Sequence, residues 1–416
     1  MKVLIIGNGG REHAMCLKIS ESDKVDKIFC APGNGGTFFQ DKCENINIVD
    51  IDKLIEFVKE NKVDLTVVGP EQTLTEGIVD KFKAENLRIL GPSKKAAALE
   101  GSKSYSKEFM KKYGIKTADY AVFEDIEKAK SYLKTSKYPI VIKADGLAAG
   151  KGVAIVESEE DAFNILEEFM IKDKFKGSGK KIVVEEFLEG VEASILSICD
   201  GETIIPFMSS KDHKNIFDEN KGPNTGGMGT ISPNPYCTKE VLDSFNEEIL
   251  KPTLKGIKEE NLDFIGFIFF GLMINEKGVY LLEYNARLGD PETQVVLPLM
   301  ESDFLDLIEN ALDKNLKNTN ITWKDEKSCC IVAASYGYPL SYNVGYEIKG
   351  LEKIKNNVFI AGAKEKQGKV VTTGGRVLGV TGCGKTLEDA IKKAYENIGK
   401  INFTGMYYRK DIGKIY

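Results

Sequence analysis

The chain has 416 residues, 42% apolar and 29% charged, with a formal net charge of −6. That length exceeds one ordinary core and predicts roughly two to four domains of a globular protein, while the negative charge excludes a broad nucleic-acid surface. No apolar run approaches the roughly 18 residues of a membrane span, and the start, MKVLIIGNGG, turns to glycine too soon for a signal peptide.

Lys2 to Ile6 is predicted as a strand, Gly7-Asn8-Gly9-Gly10 as a tight turn and Arg11 to Ser20 as a helix, followed by a strand at Lys27 to Ala31. This βαβ opening presents backbone N–H groups at a helix N-terminus to an anion. A dinucleotide fold fits it poorly, because Glu12 stands where a third glycine belongs and the second strand ends in Ala31-Pro32-Gly33 without an acidic ribose ligand. A helix at Asp52 to Asn61, a strand at Asp64 to Val68 ending in Gly69-Pro70-Glu71, and a strand at Leu87 to Leu90 complete the unit. Three glycine-rich strand ends on one parallel sheet face a crevice suited to a small phosphorylated ligand.

Gly101-Ser102-Lys103 opens a Lys-rich helix to about Tyr113, and a second helix is predicted over Asp125 to Leu133. The strand Tyr138 to Lys143 enters ADGLAAGKGV, and Val153 to Val156 leaves it. The glycines there predict a mobile flap over Ala144 to Gly152 whose amides and Lys151 cover phosphates. Strand Lys181 to Glu185 ends in EEFLEGVEAS, an acidic strand end that reads an adenine edge, with Glu192 placed to reach a ribose. Asp212 to Pro233, rich in glycine and proline and containing His213, reads as a long functional loop. A helix over Lys239 to Lys258 and a strand over Phe264 to Ile274 follow.

The densest polar stretch comes next. Val279 to Leu282 reads as a buried strand, and Glu283, Asn285, Arg287, Asp290 and Glu292 follow within a few residues. At strand periodicity Glu283, Asn285 and Arg287 share one face, and a carboxylate beside an amide oxygen is hard-cation chemistry suited to Mg²⁺ with nucleotide phosphates. Only five of the 57 Lys plus Arg are Arg: Arg11, Arg88, Arg287, Arg376 and Arg409. Ordinary surface charge is thus left to Lys, and Arg is kept where a planar fork is needed.

A helix over Asp303 to Ala311 leads to a polar boundary at Asp313 to Asn320. Beyond it, strands are predicted at Cys329 to Ala334, Val358 to Ala361, Val370 to Thr373 and Arg376 to Val380, and a helix at Leu387 to Ile398. Gly379 to Thr386, GVTGCGKT, matches a P-loop pattern, but Thr386 with Asp389 reads more simply as a helix N-cap and its partner. Eight Cys with no CxxC pair, and only two His, argue for a reducing compartment and against a structural zinc site.

With GNGGREHA at 7 to 14, VGPE at 68 to 71, LEGSK at 99 to 103, IKADGLAAGKGV at 142 to 153, EEFLEGVEAS at 185 to 194, GPNTGGMG at 222 to 229, EYNARLGDPETQ at 283 to 294, GGRVLGVT at 374 to 381 and YRKDIG at 408 to 413, the chain resembles, end to end, the phosphoribosylamine–glycine ligase family of the ATP-grasp superfamily. The resemblance implies an α/β and α+β multidomain fold: an N-terminal parallel-sheet (pre-ATP-grasp) domain over 1–102, an ATP-grasp domain over 103–325 with a small lid subdomain at about 120–190, and a C-terminal mixed α/β domain over 326–416. It implies ATP as cosubstrate, Mg²⁺ or Mn²⁺, glycine and 5-phosphoribosylamine as small-molecule partners without nucleic acid or membrane, a cytoplasmic location and a monomer. Lys103, Lys143 and Lys151 would hold ATP phosphates, Glu185, Glu186 and Leu188 frame the adenine, and Glu192 bind the ribose. Glu283 and Asn285 would bind the metal, and Arg287 the acyl phosphate, with Lys103 and Lys143 sharing the catalytic work. Gly9, Gly10, Glu12, Gly69, Glu71, Asp212, Lys214, Asn224, Arg287, Asp290 and Glu292 would contact the substrates. The competing readings are another carboxylate–amine ligase, a nicotinamide-dependent dehydrogenase resting on the first βαβ unit, and a P-loop protein resting on Gly379 to Thr386.

The N-cap reading of Gly379 to Thr386 predicts that Lys385→Ala leaves the KM for ATP unchanged in steady-state assays. A rise of about tenfold, or about 1.4 kcal/mol of lost binding, would restore the P-loop reading.

Overall fold

The structure, a computed structural model, describes residues 1–148, 151–175, 177–354 and 357–414. The chain opens with β1 (Lys2–Gly7), β2 (Lys27–Pro32), β3 (Cys43–Asn45), β4 (Leu65–Val68) and β5 (Ile89–Leu90), paired in parallel in the order β3-β2-β1-β4-β5. Val3, Leu4, Ile5 and Ile6 are all buried, as expected of a central strand covered on both faces. The strand order reverses at β1, so the glycine-rich ends of β2, β1 and β4 lie side by side at the switch point where such sheets bind ligands.

A second sheet is antiparallel: β6 (Tyr120–Phe123), β7 (Ile140–Ala144), β8 (Val153–Val156) and β9 (Ile182–Glu186) in the order β6-β9-β7-β8. Its own small core includes Leu133, Ile142, Ala162, Leu166 and Ile182. Helices Ile126–Leu133 and Glu159–Leu166 start on side-chain caps, Asp125 accepting from the N–H of Lys128 and Ser158 from that of Asp161. Of the flap read at Ala144 to Gly152, Ala149 and Gly150 lie outside the described residues.

The largest sheet takes the rest. Its strands are β10 (Val191–Cys199), β11 (Ile204–Asp212), β14 (Gly229–Ser232), β15 (Gly266–Asn275), β16 (Gly278–Asn285), β17 (Lys327–Ser335), β18 (Val358–Ile360), β21 (Arg376–Gly384) and β22 (Met406–Tyr407). The numbers missing from that series belong to two hairpins, β12 (Asn215–Phe217) with β13 (Lys221–Asn224), and β19 (Ala363–Lys366) with β20 (Lys369–Thr372). The order is β16-β15-β10-β11-β14-β17-β21-β18, with β22 beside β17. Ladder bonds from β14 to β17 carry the sheet across residue 325 without a break.

Three sequence readings change and a fourth holds. Asp212 to Pro233 is not one long loop: β12, β13 and β14 order much of it, and fully buried Arg409 holds it from the far end of the chain, donating to the Asn215 carbonyl at 3.0 Å and the Asn220 side chain at 3.1 Å. Strand β10 escapes the periodicity reading because Ala193 to Cys199 is buried at consecutive positions, and β11, with buried and half-buried positions in no regular order, escapes it too. The helix over Lys239 to Lys258 widens to a π-turn at Asn246–Leu250, just ahead of Pro252, which has no N–H to give back to the preceding turn. Gly379 to Gly384 is ladder-bonded strand and not a loop, and Thr386 accepts from the N–H of Asp389 at 3.1 Å as a cap.

The N-terminal unit meets β18 through a matched pair of bonds. The Ile360 N–H donates to His13 Nδ1 at 2.9 Å, and the Ile360 carbonyl accepts from Asn34 Nδ2 at 2.7 Å. Burial lowers the His13 pKa to about 4, which keeps the ring neutral so that Nδ1 accepts. Asn34 also caps helix Gly35–Phe39, its Oδ1 accepting from the N–H groups of Gly36 and Thr37.

Asn34→Ala therefore removes a cap and leaves a buried carbonyl unpaired. The expected loss of unfolding free energy is about 2 to 4 kcal/mol by urea denaturation. A loss within a few tenths of wild type would show that water replaces both bonds.

Candidate active site

The polar stretch predicted around Glu283 owes its aim to a backbone irregularity. β16 pairs Gly271 with Glu283 but Leu272 with Leu281, so Leu282 is an extra residue in the ladder. This bulge inverts the side-chain alternation. Val279 and Leu281 face the core before it and Tyr284 and Ala286 after it, which turns Glu283, Asn285 and Arg287 to the opposite, half-exposed side. The three share a face by ordinary alternation, as expected, and the bulge ahead of them decides which face that is.

Four cations surround Glu283: Lys214 just past β11, Lys143 on β7, Lys103 at the start of helix Lys103–Lys112, and Arg287. Burial pushes its carboxyl up, but these charges outweigh burial and hold it below the ordinary range. Its oxygens have no hydrogen-bond or ion-pair partner among the described residues. Lys103 donates to the Gly146 carbonyl at 3.2 Å, and burial lowers its pKa even with Glu283 nearby. Helix and flap base are tied together by Asp145, which accepts from the Ser104 N–H at 2.6 Å and from the Ser102 hydroxyl.

Beside this group runs a buried ion chain. Lys143 lies 2.9 Å and Lys107 3.0 Å from the two oxygens of Glu185. Burial raises the Glu185 carboxyl, and the two ammonium groups bring it below its usual value, while burial lowers Lys107 to about 8. Glu185 is thus committed to two lysines, and Lys107 was not foreseen from sequence. At the end of β9, Glu186 is exposed and accepts from the Asp119 N–H at 3.0 Å, and Leu188 just beyond it is half-buried. Glu192 pairs with Lys214 at 2.5 Å, and Lys151 is exposed.

Arg287 is clamped from several directions. Its guanidinium lies 2.7 Å from Glu100, donates to Glu71 at 3.2 Å, to Asn285 Oδ1 at 3.1 Å and to the Leu288 carbonyl at 3.2 Å. Glu100 also accepts from the Ala286 N–H at 2.7 Å. Two acids share this one guanidinium unequally. Glu71 remains below the usual range because Arg287 and Arg11 outweigh its burial, whereas burial drives Glu100 up to about 7. Glu100 sits in LEGSK, and its charge inside an otherwise uncharged helix turn was the available signal.

At the strand-end crevice the glycines leave room for a carboxylate from within the protein. A Cβ on Gly69 would lie 2.0 Å from Glu12, and one on Gly9 2.7 Å from it. Glu12 is 3% exposed, accepting from the Gly9 N–H at 2.6 Å and from Arg11 Nε at 2.7 Å. Here it braces the glycine turn from inside. Arg11 reaches on to the Leu288 carbonyl at 2.8 Å, and its own N–H donates to Asp290. Burial lifts Asp290, and Arg376 and Arg11 bring it below the usual range. Asp212 and Glu292 are both raised, by burial first and, for Asp212, by Glu292 itself; Ser194 donates to Glu292 at 3.3 Å. Gly10 lies against Gln294 and Asp290, while Asn224 is exposed on β13 and accepts from Asn215 at 3.3 Å. The site as a whole gathers cations around an unbonded carboxylate between the small antiparallel sheet and the large one, next to the crevice of the parallel sheet. It is built to hold an extended anion together with a hard cation.

Family models match in three blocks: phosphoribosylglycinamide synthetase N domain at 1–100, ATP-grasp (A) domain at 101–293 and C domain at 328–415. The chain is 64% identical over 414 residues to a phosphoribosylamine–glycine ligase of Clostridium acetobutylicum, covering 100% of both chains. It is 55% identical over 421 residues to one of Fusobacterium nucleatum, covering 100% of this chain and 99% of that relative. A crystal structure of phosphoribosylamine–glycine ligase from Thermotoga maritima superposes with a TM-score of 0.87 at 36% identity, covering 99% of this chain and 100% of that one.

The burial of Glu100 has a pH signature. Its folded pKa, about 7, exceeds its ordinary 4.5, so between those values the folded state holds more of this proton than the unfolded state and stability falls as pH rises. In Glu100→Gln that fall is absent. The unfolding free energy of wild type minus variant should decline across this window by about 3 kcal/mol at most, read from urea titrations at several pH values. A difference that does not vary with pH would show Glu100 to be ionised throughout.

Proposed function

We propose the roles of these residues from one premise: the chain belongs to the phosphoribosylglycinamide synthetase family. It is an ATP-dependent carboxylate–amine ligase that joins glycine to 5-phosphoribosylamine, giving glycinamide ribonucleotide in purine biosynthesis. A carboxylate is a poor electrophile, so the energy of ATP is used to attach a phosphate leaving group to glycine before the amine attacks. Little acid or base chemistry is required, and positioning with charge neutralisation carries the rate.

The observation that best supports this assignment of roles is the unbonded carboxylate of Glu283 within its ring of four cations. Lys103, Lys143 and Lys214 face the phosphates there, with Lys151 on the flap closing over them. Glu283 and Asn285 fit a hard divalent cation, Mg²⁺ or Mn²⁺, because both offer oxygen and the amide retains a lone pair beside its bond to Arg287. When bound, such an ion neutralises and orients the phosphates. Glu186 and Leu188 line the adenine, with Glu185 holding Lys143 and Lys107 in place behind them. Glu192 receives the ribose, a role that requires it to release or share Lys214.

Glycine and phosphoribosylamine meet at the other side of Arg287. Gly9, Gly10 and Gly69 let the phosphoribosylamine approach backbone, Glu71 and Asp290 border it, and Asp212, Asn224 and Glu292 surround the glycine. Arg287, already fixed by four acceptors, is preorganised for the negative charge that develops as the phosphate transfers and the amine adds. We infer a monomer located in the reducing cytoplasm, where its eight cysteines would remain thiols.

Phosphate release from ATP with glycine and freshly made phosphoribosylamine tests the reaction directly. Arg287→Lys tests the roles: kcat should fall by roughly 10² to 10³ while the KM values for ATP and glycine move little, since an ammonium keeps the charge but loses the fork that spans Glu71 and Glu100. Unchanged kcat with a raised glycine KM would make Arg287 a carboxylate anchor instead.

A further inference from the structure

Sequence spacing argued against a structural zinc site, yet the fold gathers three of the eight cysteines. Cys16 lies on helix Gly10–Ser20, Cys30 on β2 and Cys43 at the start of β3. Their sulfurs all fall within 4.8 Å of one another, and Cys16 Sγ is 3.3 Å from Cys30 Sγ. Cys16 and Cys30 are buried, at 0% and 1% exposure, while Cys43 is half-exposed at the sheet edge. None of the three touches the ATP or phosphoribosylamine residues assigned above, and the ligase chemistry makes no use of them.

We propose that Cys16, Cys30 and Cys43 form a binding site for one soft, thiophilic metal ion of the zinc class. The size of the sulfur triangle carries this. Zinc–thiolate bonds are about 2.3 Å, so three sulfurs on one face of a tetrahedron stand roughly 3.8 Å apart. One edge of the triangle is 3.3 Å and none exceeds 4.8 Å, limits between which that spacing falls. Thiolate donors select soft or borderline ions over Mg²⁺, so this site does not compete with the oxygen ligands at Glu283 and Asn285. The half-exposed position of Cys43 provides both the entry path and the direction of a fourth, solvent-supplied ligand. Binding replaces three thiol protons with three metal–sulfur bonds, and the protons leave to solvent. The bound ion ties helix Gly10–Ser20 to β2 and to the edge strand β3. That helix begins at the Gly9-Gly10 turn of the crevice, so the ion would clamp the element that shapes the phosphoribosylamine site from its far end.

Cd²⁺ is the probe, because its thiolate charge-transfer absorbance reports sulfur ligands and not carboxylates. The full-length, phosphine-reduced protein should take up one Cd²⁺ per chain with the absorbance of three thiolates, and Zn²⁺ should displace it. Cys43→Ser, at the half-exposed position, should lose at least a third of the absorbance and weaken binding at least about tenfold. Cys383→Ser should change neither. A measurement free of substitutions runs alongside: Zn²⁺ should slow iodoacetamide alkylation of Cys43 while leaving that of Cys237 and Cys383 unaltered. Absence of a saturable charge-transfer band, a band that Cys43→Ser leaves intact, or alkylation of Cys43 indifferent to Zn²⁺ would each overturn the site.

Discussion

A guanidinium placed out of water must be neutralised where it lies, and the arrangement around Arg287 follows from that requirement. Leaving a buried charge unpaired costs about 3 to 5 kcal/mol, so its acceptors are as necessary as the residue itself. They come from separate parts of the chain: Glu71 from the first turn of the helix Glu71–Glu76 after β4, Glu100 from the helix that leaves the N-terminal unit, Asn285 and Leu288 from its own strand and the turn beyond. The parallel-sheet unit is therefore docked against the large sheet by the same bonds that fix the residue nearest the chemistry. Structure and reaction share one electrostatic joint.

The other arginines do comparable work. Arg11 joins the glycine turn to the Leu288 carbonyl, which Arg287 also uses. Arg376 donates to the Asp290 carbonyl and, from the C-terminal part of the chain, reaches Gly226 at 2.5 Å. Arg409 spans from the last strand to the β12–β13 hairpin, and Arg88 links β5's approach to Glu309 and Asp313 near the helix Phe304–Leu312. Every arginine in the chain bridges segments distant in sequence. Lysine, by contrast, makes most of the exposed pairs, such as Lys239 with Asp243, whose contribution is small.

Local chemistry was readable before the fold was known; long-range consequences were not. The βαβ opening, the cap at Thr386 and the shared face of Glu283, Asn285 and Arg287 depend on residues a few positions apart, and sequence spacing reports those directly. Strand β10 was missed because burial on both faces erases alternation, and β11 because its burial follows no period of two. Glu100 was missed because its meaning lies in a partner far along the chain, and the packing of Glu12 against Gly7, Gly9 and Gly69 was not legible because it takes two strand ends brought together by the fold. The bulge at Leu282 leaves no signature in composition, although it decides which way Glu283 points. The three-cysteine cluster is legible only once helix, central strand and edge strand are stacked.

The ladder between β14 and β17 bears on how the chain can be divided. Family boundaries suggest that the region after residue 327 is a module to be separated from the one before it. Yet Gly229 through Ser232 pair with Ser328 through Ile331 in the interior of a continuous sheet. A cut there would strip one flank of β14 and one of β17, exposing rows of unpaired amide and carbonyl groups with buried apolar side chains beside them. Such flanks are templates for edge-to-edge aggregation. Separated halves would stick to one another or to themselves, and the shared ladder makes the two regions one cooperative folding unit.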